Sequence, residues 1–281
     1  MRFKLYREHG ALNSVPVFNA FEQGLRTLGH TIVEKDEDVA VIWSVLWHGR
    51  MIANQQIYEH CLQKNKPIII IEVGNLKRNI TWRIGLNHIN RLGNFGNNDQ
   101  LDLARPKKLG VDLKPTQLTR RGEIFLATQH ERSLQWQGMP TMRAWTENII
   151  AEIKKHTSRR IIVRPHPRSP FPVKIPGVLI DTPQRVPNTY DEFNIFYNYH
   201  CVINHNSGPA VQAAIEGVPI ICDLSSLAGE LSEKLENIEN PILPDRNEWF
   251  LKLCHTEWTI DEIAQGIPLQ RLIPEILKQI S

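Results

Sequence analysis

The sequence predicts an α/β fold made of two Rossmann-like, doubly wound domains. Strand-length apolar runs alternate with helix-length amphipathic segments in both halves of the chain, and the alternation is interrupted once, near the middle. The run Ile68-Ile69-Ile70-Ile71 is apolar without alternation, which is typical of a parallel strand with helices on both faces of its sheet. With 41% apolar residues, the 281-residue chain can bury one large core or two ordinary ones.

The first domain is predicted from five alternating segments and a polar stretch that follows them. From Gly74 to Gln100 the chain is rich in Asn and Gly, which predicts a long functional or mobile loop and no core element. The run from Arg105 to Pro115 carries two prolines among charges, which favours an interdomain linker over a packed helix. We therefore expect a first domain over residues 1–115. Its five segments are Arg2 to Tyr6, Val17 to Leu28, Val39 to Trp43, Met51 to Gln63 and Pro67 to Ile71.

The alternation restarts after the linker and predicts a second domain over residues 116–281. Two helical segments close it, and Pro268 and Pro274 are each expected to begin or bend a turn there. We expect the C-terminal helix to pack back across the domains. The segments are Glu123 to Ala127, Thr141 to Lys155, Arg160 to Val163, Val178 to Ile180, Cys201 to Ile203, Ala210 to Glu216, Val218 to Cys222, Arg246 to Cys254 and Ile260 to Ile280.

Charge is nearly balanced overall but unevenly distributed. The formal net charge is +3, whereas the segment from Lys77 to Arg121 holds ten Lys/Arg and three Asp. A solvated basic face and a polyanion-binding surface explain this segment equally well. The four cysteines are far apart, so buried free thiols are expected. No run approaches the roughly eighteen apolar residues of a membrane-spanning helix, and we expect a cytoplasmic protein.

The strongest motif is the run from Val202 to Ala210, in which a buried strand leads directly into small polar residues and a helix. The free N–H groups at the start of that helix favour an anion, and Gly208 lets a phosphate approach the backbone closely. Asn206 or Ser207 is expected to cap the helix. Taken alone, the run is equally typical of an ordinary strand-to-helix turn.

Two further strand ends support an anion site. Prolines hold His166 and Arg168 in a stiff extended loop after the strand that ends at Val163. Such sheets bind ligands at the carboxyl ends of their parallel strands, and a guanidinium suits a diphosphate. A third strand end adds Gln129 and His130 to the same edge. For His130 or His205 taken alone, a packed structural histidine is the better interpretation.

These residues resemble bacterial capsular-polysaccharide glycosyltransferases of the GT-B fold, including the Kdo transferases. The resemblance covers roughly residues 120–225 and rests on Arg164 to Pro167, His205 to Ala210 and Glu216 to Pro219. It implies an interdomain cleft, a UDP-type nucleotide-sugar donor bound by residues 116–281, and an acceptor bound by residues 1–115. The implied donor-binding residues are His166, Arg168, Asn206, Ser207 and Gly208, joined by Gln129 and His130, with Glu216 assigned to the ribose.

The N-terminal half is similar to glycosyltransferases of T-even-type and marine phages, some of which resemble enzymes that glycosylate hydroxymethylcytosine in DNA. The similarity rests on Tyr6 to Asn13, Trp47 to Arg50, Glu72 to Gly74 and Thr81 to Arg83. It implies arabinosyl or glucosyl transfer to 5-hydroxymethylcytosine in double-stranded DNA, in a host cytoplasm. The residues expected along DNA phosphates are Arg78, Arg83, Arg91, Lys107, Lys108, Arg120 and Arg121.

Two aromatic residues accompany that basic segment. Trp82 or Phe95 is expected to stack on or replace a flipped base if the acceptor is DNA. A buried structural Trp is the alternative for Trp82.

Sugar transfer needs a stabilised diphosphate leaving group and a base for the acceptor hydroxyl. His166, Arg168 and the helix that follows Ser207 meet the first need, so no essential metal or cofactor is expected. The motif Asp36-Glu37-Asp38 has the D-x-D spacing of metal-dependent transferases, but it precedes a strand and is interpreted as a solvated turn. The base is expected among Glu72, His9, Glu8 and His48, and a loop or hinge contact is the alternative for each of them.

Glu72 is the preferred base because it closes the all-Ile strand, where partial desolvation suits a general base at neutral pH. His9 follows closely. Three functions from different classes remain: a phage DNA glycosyltransferase, a capsule or lipopolysaccharide glycosyltransferase, and a nucleotide-sugar binding or epimerising protein. The basic segment from Lys77 to Arg121 favours the first, since an epimerase would need a donor site alone.

Overall fold

The computed structural model describes residues 1–99, 101–116, 122–171, 175–183, 185–186, 189–190 and 199–281. They form two compact units: unit 1 is Met1–Val111 with Leu251–Ser281, and unit 2 is Asp112–Phe250. The sequence placed the boundary between residues 115 and 116 and assigned the whole tail to the second domain. In the structure the chain returns to unit 1 at Leu251, so the last two helices complete the first core.

Strands and helices alternate through most of both units. In chain order the strands are β1 (Arg2–Leu5), β2 (Thr31–Ile32), β3 (Val39–Trp43), β4 (Ile68–Val73), β5 (Thr81–Leu86), β6 (Ile124–Ala127), β7 (Ile161–Arg164), β8 (Val178–Ile180), β9 (Arg185–Val186), β10 (Thr189–Tyr190), β11 (Cys201–Ile203), β12 (Ile220–Ile221) and β13 (Glu257–Thr259). The helices are α1 (Val15–Thr27), α2 (Ala53–Gln63), α3 (Arg105–Leu109), α4 (Met142–His156), α5 (Gly208–Ile215), α6 (Asn247–Cys254), α7 (Ile260–Ala264) and α8 (Ile267–Ile280).

Unit 1 is built on a sheet whose described strands run in the order β13-β5-β4-β3-β1-β2. The strands β1 to β4 are parallel, and β5 and β13 add an antiparallel edge. In the parallel part the order reverses between β1 and β3, and open α/β sheets bind ligands beyond the strand ends at such a point. The core includes Phe3, Val41 and Ile69 of the sheet with Leu272 and Ile276 of α8.

Strand β5 corrects the expectation of a long loop between Gly74 and Gln100. It pairs with β4 on one side and β13 on the other, and Trp82, Ile84 and Leu86 are at most 3% exposed. Trp82 lies opposite Trp258 in the β5–β13 register. Because that partner comes from the far end of the chain, local pattern alone did not predict the strand.

Helix α3 corrects the expectation of a linker at Arg105. Pro106 lies in the first turn of α3, where its missing N–H removes no helical hydrogen bond. The Arg105 side chain is 4% exposed and forms an ion pair of 2.7 Å with Glu262. Its guanidinium also lies 4.0 Å from the centre of the Trp258 ring. This cation therefore stabilises the core of unit 1 and is not available to an outside anion.

Unit 2 is built on a parallel sheet whose described strands run in the order β12-β11-β6-β7-β8. Within this unit the strand order is that of a Rossmann fold, with a reversal between β6 and β11. The core on one face includes Ile124, Ile150, Val163 and Ile203.

The thiols and helices agree with two simpler expectations. The cysteines are free; Cys61, Cys201 and Cys254 are buried and Cys222 is half-buried. Burial raises the pKa of Cys61 to about 11, so that thiol stays protonated at neutral pH. In the described part of the chain, no helix combines the length and apolarity needed to cross a membrane.

Candidate functional sites

Three neighbouring strands of unit 2 end in polar side chains at one edge of the sheet. Strands β11, β6 and β7 are adjacent and parallel, so their carboxyl ends lie side by side. We call the segments that follow them, residues 204–208, 128–130 and 165–168, the unit 2 rim. It includes the point between β6 and β11 where the strand order reverses, which is the usual ligand-binding position in such sheets.

Side chains of each rim segment bond to the backbone of the next. Gln129 Oε1 accepts a hydrogen bond of 2.9 Å from the Asn206 N–H, and Asn204 Nδ2 donates one of 3.2 Å to the carbonyl that ends β6. The His166 N–H donates to Thr128 Oγ1 at 2.9 Å. Gln129 and Asn204 are 3% and 2% exposed, so water competes little for these bonds. The rim is therefore a preorganised structure.

Two imidazoles lie at the centre of the unit 2 rim. The rings of His130 and His166 meet edge to face with 5.4 Å between their centroids. His130 Nδ1 accepts from the Arg132 N–H at 3.1 Å, and His166 Nδ1 accepts from the Arg168 N–H at 3.2 Å. Because each Nδ1 is an acceptor, each neutral ring carries its proton on Nε2. Arg168 itself is exposed. The rim thus combines imidazole N–H donors with a guanidinium.

The start of helix α5 differs from its predicted capping. Ser207 occupies the N-cap position, but its hydroxyl makes no capping bond to the described backbone of α5. Asn204 instead bonds to both the N–H and the hydroxyl of Ser207, at 2.8 and 2.7 Å. The Asn206 side chain donates to Ser225 Oγ at 2.6 Å. Neither predicted cap closes the helix, so the positive end of α5 at Gly208 remains open to an anion.

Glu216 is separated from the other donor-binding candidates. It ends α5, whose eight residues from Gly208 to Ile215 span about 12 Å at 1.5 Å per residue. The N-terminus of that helix belongs to the rim, so Glu216 lies at the opposite end from Ser207. The assignment of Glu216 to a ribose therefore stays a prediction that the rim geometry does not support.

His205 belongs to the rim segment 204–208, but its ring packs against the segment that precedes α4. Its Nε2 lies 3.1 Å from the Gln135 carbonyl, and its ring meets Trp136 edge to face with centroids 5.1 Å apart. Burial lowers the pKa of His205, which keeps the ring neutral at physiological pH. These contacts agree with the interpretation of a structural histidine.

Unit 1 has a corresponding edge at the carboxyl ends of β1, β3 and β4. We call residues 6–9, 44–48 and 72–76 the unit 1 rim. Asn54, which is fully buried, donates its Nδ2 to the Trp43 carbonyl at 2.6 Å and also lies 3.5 Å from the His9 carbonyl. One side chain of α2 thereby joins the ends of β1 and β3, where the strand order reverses.

Among the four candidate bases, Glu72 is the one whose two side-chain oxygens are both held by hydrogen bonds. Its Oε2 accepts a hydrogen bond of 2.6 Å from Ser44 Oγ, and its Oε1 accepts one of 2.9 Å from the Val73 N–H. Glu72 is half-buried, whereas His48 is exposed and the Glu8 side chain is 60% exposed. The His9 ring lies 3.7 Å from Glu8 and stacks against Tyr6. The geometry therefore favours Glu72, with His9 next.

Two residues predicted to contact DNA lie inside unit 1. Arg83 donates to the carbonyls of Ile89 and Val73 at 3.1 and 3.2 Å. Burial lowers the pKa of Arg83, while the nearby Glu257 and Glu72 carboxylates oppose that effect. Trp82 is 3% exposed, which agrees with the interpretation of a structural Trp. Both side chains stabilise the β5 region, and these contacts do not favour the predictions that Arg83 binds phosphate and that Trp82 binds a base.

The other predicted DNA contacts lie on three segments of unit 1. Arg78 precedes β5 and Arg91 follows it, and the six residues of that strand span about 20 Å at 3.3 Å per residue. Lys107 and Lys108 are exposed on α3, and Lys108 pairs with Asp102 at 2.7 Å. These contacts neither support nor exclude the prediction that the four cations bind DNA. Arg120 and Arg121 lie outside the described residues.

Two other predicted features have plain structural roles. Phe95 is half-buried and its carbonyl accepts from Arg271 at 3.3 Å. The turn Asp36-Glu37-Asp38 precedes β3 as predicted, with Asp38 paired to Arg2 at 2.7 Å and Glu37 to Lys66 at 2.8 Å. Both ion pairs hold the turn against neighbouring strands.

Several residues that build the two rims were not predicted from the sequence. Ser44 directly follows the apolar run of β3 just as Glu72 directly follows the apolar run of β4, so the rule that selected Glu72 could have found it. Glu257 is fully buried and accepts hydrogen bonds from the N–H groups of Asn75 and Leu76. No sequence signal connects Glu257 to that turn, because the contact joins distant parts of the chain. The other residues missed were Thr128, Asn204 and Asn54.

Comparisons with known proteins bear on the fold. No protein-family model and no curated protein matches the chain. Among solved structures, it is similar to the KpsC β-Kdo 2,4-transferase of Thermosulfurimonas dismutans, with a TM-score of 0.52 and 11% identity over 95% of this chain and 98% of that one. The KpsC β-Kdo 2,7-transferase of that organism gives a TM-score of 0.45 and 11% identity, covering 96% and 99%.

A third structure, AviGT4, is a glycosyltransferase involved in avilamycin A biosynthesis, with a TM-score of 0.34 and 11% identity over 100% of this chain and 98% of that one. The TM-scores of this structure and of the 2,7-transferase are too low to support an argument. The likeness to the 2,4-transferase shows a shared fold. The fold class predicted from the sequence, an α/β fold of the GT-B type with two Rossmann-like units, is confirmed.

Proposed function

We propose that the chain is a glycosyltransferase that binds a UDP-type nucleotide-sugar donor at the unit 2 rim. One observation carries this proposal: three adjacent strand ends place imidazoles, an exposed guanidinium and an open helix N-terminus at the reversal point of a Rossmann-type sheet. These are hydrogen-bond donors and positive charges, which suit a diphosphate. The fold shared with a named Kdo transferase supports the same class of reaction.

In the proposed reaction the bond between the anomeric carbon and the diphosphate oxygen breaks, and that oxygen keeps the electron pair. The imidazole N–H groups of His130 and His166, together with Arg168, stabilise the negative charge that develops on the leaving group. The first N–H groups of α5 add a further positive partial charge. We propose that these groups serve without an essential metal, so that a chelator leaves transfer unchanged.

We propose Glu72 as the base that takes the proton from the acceptor hydroxyl as the new glycosidic bond forms. The carboxylate is half-buried and is held by two hydrogen bonds, so its orientation is fixed before the acceptor binds. His9 is the second candidate because it follows β1 in the same rim and its side chain is only partly exposed.

The first acceptor class we propose is a carbohydrate hydroxyl, as in capsule or lipopolysaccharide synthesis. The named activity of the KpsC domain supports this choice. The DNA alternative is weakened because Arg83 and Trp82 lie inside unit 1. It keeps support from the exposed cations Lys107 and Lys108 on α3. DNA containing 5-hydroxymethylcytosine is therefore the second candidate acceptor.

The test is a transfer assay with UDP-, CMP- and GDP-linked sugars, each offered with carbohydrate acceptors and with hydroxymethylated or unmodified DNA. Products are weighed by mass spectrometry. We expect a mass gain of one sugar on one acceptor class and release of the free nucleotide. Conversion of the donor without any acceptor would favour a binding or epimerising protein. No consumption of any donor would contradict the proposed function.

A matched set of variants separates the acceptor classes. If DNA is the acceptor, Lys107→Gln together with Lys108→Gln should weaken DNA binding and reduce its salt dependence, because fewer counterions are released. If a carbohydrate is the acceptor, the same double variant should transfer sugar at the rate of the unaltered protein. Arg160→Gln in unit 2 gives a control for the loss of an exposed cation.

A further inference from the structure

Ser44 adopts a backbone conformation that is unusual for its residue type. It follows directly after β3 with φ at +63°, in the left-handed region that favours glycine. The residue is 3% exposed, so the conformation belongs to the interior and not to a free surface turn. A turn of this shape would form with less strain if the residue were glycine. The reason for a serine at this position must therefore lie in what its side chain does.

Four hydrogen bonds hold this turn. The Ser44 N–H donates to the Ile71 carbonyl at 2.8 Å, and Ser44 Oγ accepts from the Leu46 N–H at 3.1 Å. Asn54 fixes the preceding carbonyl, that of Trp43, at 2.6 Å. The Ser44 hydroxyl then donates to Glu72 Oε2 at 2.6 Å. Because the hydroxyl already accepts the Leu46 N–H, its own proton is directed at the carboxylate.

We infer that Ser44 is the positioning residue of Glu72, and that its strained turn serves to aim the hydroxyl at that carboxylate. This inference rests on the proposed function, in which Glu72 is the base. With Oε2 held by Ser44 and Oε1 held by the Val73 N–H, the carboxylate cannot rotate freely about its last bond. Each oxygen keeps a second lone pair for the acceptor hydroxyl.

The surroundings of Glu72 contain two other charged groups from the neighbouring strands. Arg83 of β5 is its register partner, and Glu257 of β13 lies beyond Arg83 in the same sheet. Arg83 donates from its two terminal nitrogens to backbone carbonyls, and the side-chain hydrogen bond to Glu72 comes from Ser44. Loss of the Ser44 hydroxyl should therefore change the orientation of the carboxylate.

Two variants separate the turn from the hydroxyl. Ser44→Gly removes the hydroxyl but relieves the strained backbone, whereas Ser44→Ala removes the hydroxyl and keeps the strain. Asn65→Gly is the matched control, because Asn65 also has a positive φ, +50°, at the far end of α2. We expect Ser44→Gly to melt at a higher temperature than Ser44→Ala, because both lose the bonds of the hydroxyl and only the alanine variant keeps the strain.

Both Ser44 variants should lose about 10- to 100-fold in kcat, the size expected for a hydrogen bond to a charged group, with KM for the donor unchanged. Asn65→Gly should keep full turnover. Turnover in Ser44→Gly equal to that of the unaltered protein would overturn the inference, because a purely structural turn residue is replaced by glycine without loss.

A second measurement does not require turnover. The carbon-13 chemical shift of the Glu72 carboxyl, measured at one fixed neutral pH, reports the hydrogen bond from Ser44, so it should change in both Ser44 variants and stay unchanged in Asn65→Gly. An unchanged carboxyl shift in the Ser44 variants would overturn the inference whatever the activity. If no donor supports transfer, the proposed function fails, and the carboxyl shifts still decide whether Ser44 orients Glu72.

Discussion

The two rims have similar architecture and opposite chemistry. Each lies at the carboxyl ends of parallel strands, where the strand order of its sheet reverses. The unit 2 rim consists mainly of donors, namely imidazole and backbone N–H groups and a guanidinium, whereas the unit 1 rim presents the Glu72 carboxylate held by Ser44. One sheet edge is thus suited to bind an anion and the other to accept a proton. This division is what a transferase with a charged leaving group requires.

Replacing the carboxylate of unit 1 should produce the largest effect. Glu72→Gln keeps the shape of the side chain but removes its basicity, so we expect kcat to fall by about 10² to 10⁴. Affinity for the donor nucleotide should be unchanged, since the proposed donor site belongs to unit 2. Steady-state kinetics and calorimetric titration with the nucleotide measure the two quantities.

Glu8→Gln is the control for that variant, because Glu8 is the exposed carboxylate of the same rim. It should retain nearly full turnover. A loss in Glu8→Gln as large as that in Glu72→Gln would mean that the base has been assigned to the wrong side chain.

Two substitutions in the basic segment of unit 1 should differ in their effect on the free energy of unfolding. Arg105→Met removes one partner of a buried ion pair and leaves Glu262 uncompensated, so the free energy of unfolding should fall by about 3 to 5 kcal/mol. Lys108→Met, which breaks an exposed pair with Asp102, should change it by less than about 1 kcal/mol. Urea unfolding measures both. Equal effects would mean that Arg105 is not part of the core.

The unit 2 rim should become less ordered when the buried side-chain amide of Asn204 is removed. Asn204→Ala leaves the carbonyl that ends β6 and the Ser207 N–H without their partners, which should cost about 1 to 3 kcal/mol of stability and weaken nucleotide binding. The exposed Asn237→Ala is the control and should do neither. Nucleotide affinity that is unaffected in Asn204→Ala would argue against a preorganised rim.

Protonation of His255 at acid pH should lower the stability of unit 1, and this effect should be smaller than those of the substitutions above. Its Nε2 accepts from the Asp102 N–H at 3.1 Å, and its Nδ1 lies 2.8 Å from the Leu251 carbonyl, so the neutral ring fits both contacts. Burial lowers the pKa of His255 below its ordinary value near 6.5. A lowered histidine pKa means that the unfolded chain takes up the proton first, so stability is lost as pH falls below about 6.5.

We expect the free energy of unfolding to fall between pH 6.5 and 5 with a slope of up to about 1.4 kcal/mol per pH unit from this one group. His255→Gln should flatten the profile, and the exposed His60→Gln should not. Parallel profiles for all three proteins would show that His255 does not titrate with folding.

The sequence predicted the parallel strands closely because they are continuous apolar runs. β8 and β11 were placed at their observed residues, and β3 likewise. The strand ends of unit 2 were predicted because polar residues follow those runs directly. β5 was missed since one of its partners, β13, comes from the far end of the chain, and Arg83 interrupts the apolar pattern of β5.

The distribution of charged residues along the sequence predicted the functional surfaces least well. Arg83 was predicted to contact DNA, but it donates to the carbonyls of Ile89 and Val73. Arg105 was placed in a linker, but it pairs with Glu262 from the far end of the chain. Such partners are visible only in the folded chain. The position of Ser44 after the apolar run of β3 could have been noticed, but its role depends on a backbone angle and on a contact with Glu72, and local pattern encodes neither.

Nucleotide binding at the unit 2 rim is tested most directly by amide NMR while UDP, and separately CMP, is added to the full chain. We expect saturable shifts at the N–H groups of Gly208 and Ala210 and at those of His166 and Arg168, because the diphosphate or phosphate binds among them. Saturable shifts confined to other parts of the chain, with these four amides unchanged, would contradict the proposed donor site.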